Sequence, residues 1–262
     1  MARRNFAEIL KSAKIDLLQE YNRLFRLFYL TKDNYGIALV DECKKHFLDM
    51  PFRGTCLSLA DFNESNGFYF KSNDAEFNTD YLIIFCEYTY NLISWLSDYA
   101  THPFKAFYME QMMMVLDLID HEFVYNNDAK VHILVPKNQE ALAVAEFVDE
   151  EISYSVLEYN HHSFEGNLSK KKATLKLMAD DIEPQRKILN GINKTLADNL
   201  FQMLQKFVRH NNDDNPYIQG LSEEELENCY DDIYQMWLLA KLEIDNLERK
   251  KRVEETLRRI NA

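Results

Sequence analysis

From Leu226 to Leu247, apolar residues alternate four and three positions apart: Leu226, Tyr230, Ile233, Trp237, Ala240, Ile244 and Leu247. That heptad spacing puts every member on one stripe of a long helix. Ser222, followed three residues later by Glu225, carries the capping-box signature that opens such a helix. In the preceding segment, Asn193 to Arg209, Leu196, Leu200, Met203, Leu204 and Phe207 fall on one side. Asn199, Gln202, Lys206 and Arg209 fall on the other, as in an amphipathic helix. Joined by the polar loop from Asn211 to Gly220, the two predict an antiparallel helical hairpin with Arg209 at its hinge.

The helical period governs most of the remaining chain. A first helix is expected from Phe6 to Tyr29, its polar face (Lys11, Lys14, Arg23, Arg26) read as solvated. A second, Ile37 to Leu48, is stopped by Pro51. Phe52 to Asn78 reads as loop with one short helix. Thr79 or Asp80 caps a helix through Tyr99 that is apolar nearly all round, which marks a central position. Pro103 begins the next, where Met109, Met112, Met113 and Met114 read as adaptable core filler.

The period changes once. His121–Tyr125 and Lys130–Val135 alternate around the turn Asn126-Asn127-Asp128-Ala129 and predict a β-hairpin. Helical pattern resumes from Gln139 to about Glu158. A connector, Tyr159–Leu168, precedes a helix capped by Ser169 and running through Met178, and Pro184 suits the start of the next segment. The fold class is therefore mainly α, a helical bundle with one β-hairpin. The boundary falls between Lys137 and Glu140. Residues 1–138 form an N-terminal helical region ending in the hairpin (121–135), and residues 139–262 a second bundle.

Composition agrees with that reading. Hydrophobic residues make up 47% of 262, enough for a substantial core, and only six Gly and five Pro interrupt the helices. No apolar run approaches the roughly 20 residues a membrane span needs. The four cysteines (Cys43, Cys56, Cys86, Cys229) are far apart and form no CxxC, so they read as buried, reduced thiols of a cytoplasmic protein. A net charge of −13 opposes nonspecific nucleic-acid binding over the whole surface.

Charge is nevertheless segregated. Nine bases and five acids lie between Glu165 and His210, whereas ten acids and only Lys241 lie between Asn211 and Asp245. A basic helix followed by an acidic one predicts intramolecular pairing before it predicts RNA binding.

The residues most able to carry chemistry close the basic helix: Arg209-His210-Asn211-Asn212. One reading is helix-end chemistry, with cations complementing the macrodipole and Asn211 or Asn212 as a left-handed cap. The other makes Arg209 a bidentate phosphate clamp beside a histidine that moves a proton at a ribose 2′-OH. His210 or His162, with His161 beside it, supplies that imidazole. Lys206, Asn211 and Asn212 then contact RNA. His121 and His132 share the hairpin but have no third ligand nearby, and HExxH, an HD pair and a Cys cluster are all lacking. Neither a metal nor a cofactor is expected.

Four stretches together resemble the HEPN superfamily, in particular the C-terminal helical domains of abortive-infection-type prokaryotic proteins. They are Glu158-Tyr159-Asn160-His161, Lys170–Leu177 running into Glu183-Pro184, Asn199–Phe207 ending in Arg209-His210-Asn211-Asn212, and Tyr230-Asp231-Asp232 with Arg249-Lys250-Lys251. The resemblance covers roughly Gln139 to Arg259. It implies an antiphage defence or toxin–antitoxin setting, dimerisation or a partner protein, and, in complete members, metal-independent ribonuclease activity. Arg209 matches the family's arginine and His210 the polar position after it. The distal histidine position falls on Asp214, Asn215 and Pro216. The resemblance thus implies a noncatalytic or weakly catalytic interaction module, docking a partner or second copy through its acidic surface and heptad seam. The alternative is a ribonuclease toxin using Arg209 and a nearby histidine.

Overall fold

The computed structural model describes residues 16–96, 102–210 and 215–260. The chain divides into two compact units, residues 1–134 and 135–262, each with its own hydrophobic core. The class is mainly α, with one two-stranded antiparallel hairpin among the described residues.

In the first unit, α1 (Leu17–Phe25) is capped by Asp16, which accepts from the Gln19 amide at 3.1 Å. It continues as a π-helical segment, Arg26–Leu30, whose widened turn is closed by Thr31 N–H to the Arg26 carbonyl. The part of the first predicted helix before residue 16, with Lys11 and Lys14, lies outside the described residues. Helix α2 (Leu39–His46) gives way to short 3-10 turns on either side of Met50. Helix α3 (Leu59–Asn66) ends at Gly67, whose φ of +72° favours glycine.

Helix α4 (Thr79–Trp95) is central, as its all-round apolarity predicts, with Leu82, Phe85, Cys86 and Leu92 fully buried. Its cap is Asn78, not Thr79 or Asp80: the Asn78 side chain accepts from the Tyr81 amide at 2.8 Å. The buried Thr89 hydroxyl donates to the Phe85 carbonyl and accepts from Tyr108, so this polar group in the core is satisfied. Helix α5 (Lys105–Leu118) corrects the expectation for its methionines. Met112 is buried and Met109 packs on the core, but Met113 and Met114 are 43% and 57% exposed. Neighbouring helical positions lie about 100° apart, so a consecutive run cannot all face one core.

Strands β1 (His121–Asn126) and β2 (Val131–Pro136) form the hairpin, its turn held by Ala129 N–H to Asn126 Oδ1 at 2.8 Å. Side chains of α4 grip β2: Glu87 accepts from the Leu134 amide at 2.6 Å, and Asn91 pairs with the His132 backbone.

In the second unit the single helix expected from Gln139 to Glu158 is two, α6 (Gln139–Ala145) and α7 (Glu150–Glu158). The chain breaks at 146–149, where Asp149 is extended (ψ 150°). Helix α8 (Leu168–Ile182) is capped by Asn167, which accepts from the Lys170 amide, and not by Ser169. It runs past Met178 because Ala179 and Ile182 extend its buried stripe. A 3-10 turn at Glu183–Gln185 leads to α9 (Arg186–Ile192). Helix α10 (Lys194–Met203) ends in a π-helical segment, Leu204–Val208.

Helix α11 (Glu223–Ile260) spans 38 residues. Its capping box is formed as predicted, with Ser222 N–H to Glu225 Oε2 at 2.8 Å and Glu225 N–H to Ser222 Oγ at 3.2 Å. Helix α8 lies beside it in the same direction: Lys171 meets Glu227, Met178 O accepts from Trp237 Nε1 at 2.8 Å, and Asp181 pairs with Lys241 at 3.0 Å. Helix α10 runs antiparallel, its opening residue Asn193 donating to Glu243 at 3.0 Å. Leu226, Tyr230, Ile233, Trp237, Ala240 and Ile244 are all buried in the unit's own core. The heptad seam, expected to dock a partner, is consumed internally as far as Ile244.

Candidate functional site

The side chains singled out at the end of the basic helix are placed by the π-helical segment, whose last turn is closed by Arg209 N–H to the Leu204 carbonyl. Arg209 is partly exposed, and its guanidinium is taken by a carboxylate: Nη2 lies 2.7 Å from Glu183 Oε2. His210 is exposed, its backbone carbonyl accepts from the buried Lys172 ammonium, and its ring centroid lies 6.3 Å from that of Tyr217. Burial, with Lys176 nearby, depresses the Lys172 pKa. Lys206 sits 5.0 Å above the same Tyr217 ring, and its carbonyl accepts from Asn215. Asn211 and Asn212 lie outside the described residues. Arg209, His210 and Lys206 thus share one end of α10.

His162 belongs to the connector after α7, in a short 3-10 turn, His162–Phe164, with its ring 4.2 Å from that of His161. His161 Nδ1 is paired with Ser163 Oγ at 2.8 Å. This connector borders a hydrogen-bonded polar network of the second unit. Lys171, only 5% exposed, places its ammonium 2.8 Å from Glu227 and 2.7 and 2.9 Å from the two oxygens of Asp231. Tyr159 donates to Asp231 at 2.9 Å and stacks on Tyr234 at 4.2 Å, with the rings nearly parallel at 8°. Tyr234 in turn donates to the Val156 carbonyl and accepts from Asn160.

A cleft of about 290 Å³ opens over this network, lined by Tyr159, Asn160, His161, Lys171, Asp231 and Tyr234 among others. The electrostatics are those of a closed set. The Lys171 hydrogen bond holds the Glu227 carboxyl below the usual glutamate value, aided by the Gly166 amide. Burial and the adjacent Asp231 charge push the Tyr159 hydroxyl well up, so it stays a neutral donor. An internal cation already occupies the place between the two carboxylates that a bound metal ion would need. The arrangement locks α7, α8 and α11 together, and offers a ligand hydrogen-bonding edges.

This network leaves no distinct mark in the sequence. Lys171, Glu227 and Asp231 were visible only as members of a basic and an acidic helix, and the expected intramolecular pairing is what they make. Which lysine of Lys170-Lys171-Lys172 would be buried depends on helix phase. Lys170 instead lies 4.1 Å over the Phe164 ring and pairs with Glu158, and Lys172 turns to His210.

The hairpin histidines are engaged within the first unit. His121 Nδ1 is 2.7 Å from the Ile119 carbonyl, and the His132 ring packs against Tyr90 and Tyr125. The cysteines are free thiols. Cys43 and Cys86 are buried, which pushes their pKa values up, whereas Cys56 and Cys229 are only half-buried, against expectation. Among the described residues, no helix is long and apolar enough to cross a membrane. No family model matches the chain, and neither the curated proteins nor the solved structures hold a significant match to it.

Proposed function

We propose that the chain is a noncatalytic interaction module, HEPN-like in its C-terminal half, which docks a partner or second copy in a prokaryotic antiphage defence or toxin–antitoxin setting. The observation that carries this reading is the far end of α11. Residues 248–260 continue the helix in full exposure, with Val253, Leu257 and Ile260 exposed to 56%, 52% and 73%. These three are spaced four and three apart and share one face. An isolated helix this short is marginal in water, and among the described residues its apolar stripe is left exposed.

The arm also carries its own charge. From Asn246 to Ile260 there are six bases and three acids, against a net −13 for the whole chain. Such a surface suits an acidic partner face, and a second copy presents one. The Arg209–Glu183 pair supports the noncatalytic side of the reading, because a guanidinium already held by a carboxylate is a poorer phosphate clamp.

The test is the chain truncated after Leu247, compared with Val253→Asp/Leu257→Asp. Both should keep the unfolding midpoint, since the residues removed contact little, while sedimentation shows lower mass or loss of a co-purified partner. Unchanged assembly in both variants rejects the arm as the docking element. Ribonuclease activity abolished by Arg209→Ala in an otherwise stable protein would instead favour the ribonuclease alternative.

A further inference from the structure

The first unit contains a concavity that the proposed docking role does not use. It lies where α4 passes the hairpin and has two lobes sharing Phe52, Asn91 and His132. The inner lobe, about 180 Å³, is walled by Phe62, Phe68 and Tyr88; the outer, about 300 Å³, by Ser94, Trp95, Tyr125 and Lys130. Concave, mostly aromatic surface with a few convergent polar groups is the usual composition of a small-molecule site.

The polar groups are held in advance. Asn91 fixes the backbone of His132 through both its amide groups, at 2.7 and 2.8 Å, and Tyr90 meets the His132 ring edge-on at 4.9 Å. The imidazole is therefore oriented, yet among the described residues its ring nitrogens have no hydrogen-bond partner. Burial lowers its pKa, so near neutrality it offers one donor and one acceptor. Lys130 stands at the outer lip in a left-handed turn conformation (φ +55°), exposed and without an ion pair among the described residues.

We propose that this concavity binds a small molecule made of a flat aromatic or heteroaromatic ring joined to an anionic group. The ring enters between the aromatic walls with its edge on His132, and the anion rests against Lys130. Aromatic faces favour a flat ring by stacking or edge-to-face contact. A single exposed lysine adds selectivity for the charged member of a series more than affinity.

Adenosine 5′-monophosphate and indole-3-acetate both have the required chemistry from different sources, and ribose 5-phosphate has the anion without the ring. Calorimetry on the full chain should show saturable binding of at least one of the first two and none of the third, and which one binds identifies the ring class. Amide shifts should concentrate on Ser94, Trp95, Lys130 and His132. Lys130→Ala should weaken binding about three- to tenfold, and Ser94→Phe, which fills the outer lobe, should abolish it. Tyr125→Ala, at a position 45% exposed, should weaken it as well and guards against misfolding of Ser94→Phe. Binding of neither ring compound at millimolar concentration overturns the proposal. So does binding that all three substitutions leave unchanged, or equal binding of ribose 5-phosphate.

Discussion

The Asn91 side chain pairs with the backbone of His132 as a neighbouring strand would: Oδ1 accepts from His132 N–H at 2.7 Å and Nδ2 donates to His132 O at 2.8 Å. Glu87, one helical turn earlier, accepts from Leu134 N–H at 2.6 Å. A two-stranded hairpin is marginal alone. Here one edge of it is satisfied by side chains of a central helix.

Asn91→Ala should therefore destabilise the first unit beyond the loss of contact area. It leaves a partly buried amide and carbonyl unsatisfied, at about 1–3 kcal/mol for each group. Urea denaturation should show that loss, and the His132 amide should exchange faster by a matching factor. Unchanged exchange at His132 would show that the pairing carries no stability.

His132 should titrate below the ordinary histidine value of 6.5, because burial disfavours its charged form. Its folded pKa is lowered, so between that value and 6.5 the unfolded chain binds more protons and stability falls as pH falls. Imidazole chemical shifts against pH check the midpoint. A midpoint at or above 6.5 contradicts the burial argument.

Lys171→Met should cost about 1–3 kcal/mol at pH 7, since it leaves Glu227 and Asp231 facing each other without their cation while solvent reaches both carboxylates, 24% and 45% exposed. Glu227 is depressed below its ordinary 4.5 in the folded state, so its contribution is present above 4.5 and lost as pH falls through the folded value. The gap between wild type and variant should accordingly shrink in acid. Chemical denaturation at pH 7 and pH 4 measures both, and a gap that widens at pH 4 would reject the pairing as its source.

Arg209 and Glu183 should show a coupling energy of about 1 kcal/mol or less in a double-mutant cycle, because both side chains are more than a third exposed. The coupling should decline further in 0.5 M salt, as expected for a screened pair. A coupling of several kcal/mol would mean the pair is shielded from solvent in solution.

Much of the local structure was legible in the chain. The Ser222–Glu225 capping box, the antiparallel pairing of α10 with α11, the all-apolar α4 and the single change of period at the hairpin all followed from spacing and capping chemistry. Boundaries were less legible. Asn78 and Asn167 cap helices assigned to their neighbours, because several adjacent polar residues can each satisfy the same free amides. The break between α6 and α7 leaves no mark in the apolar pattern.

What the sequence determined by itself is what depends on residues within a few turns of one another: helical class, the hairpin and the segregation of charge. Tertiary structure alone decided how each stripe and charge is used. It turned the Trp237 seam inward and left the Val253–Ile260 face in solvent. It buried Lys171 among acids some 60 positions away, and tied Arg209 to Glu183. The physical reason is that burial and ion pairing depend on which faces meet in space, and helical periodicity names the face without naming what covers it.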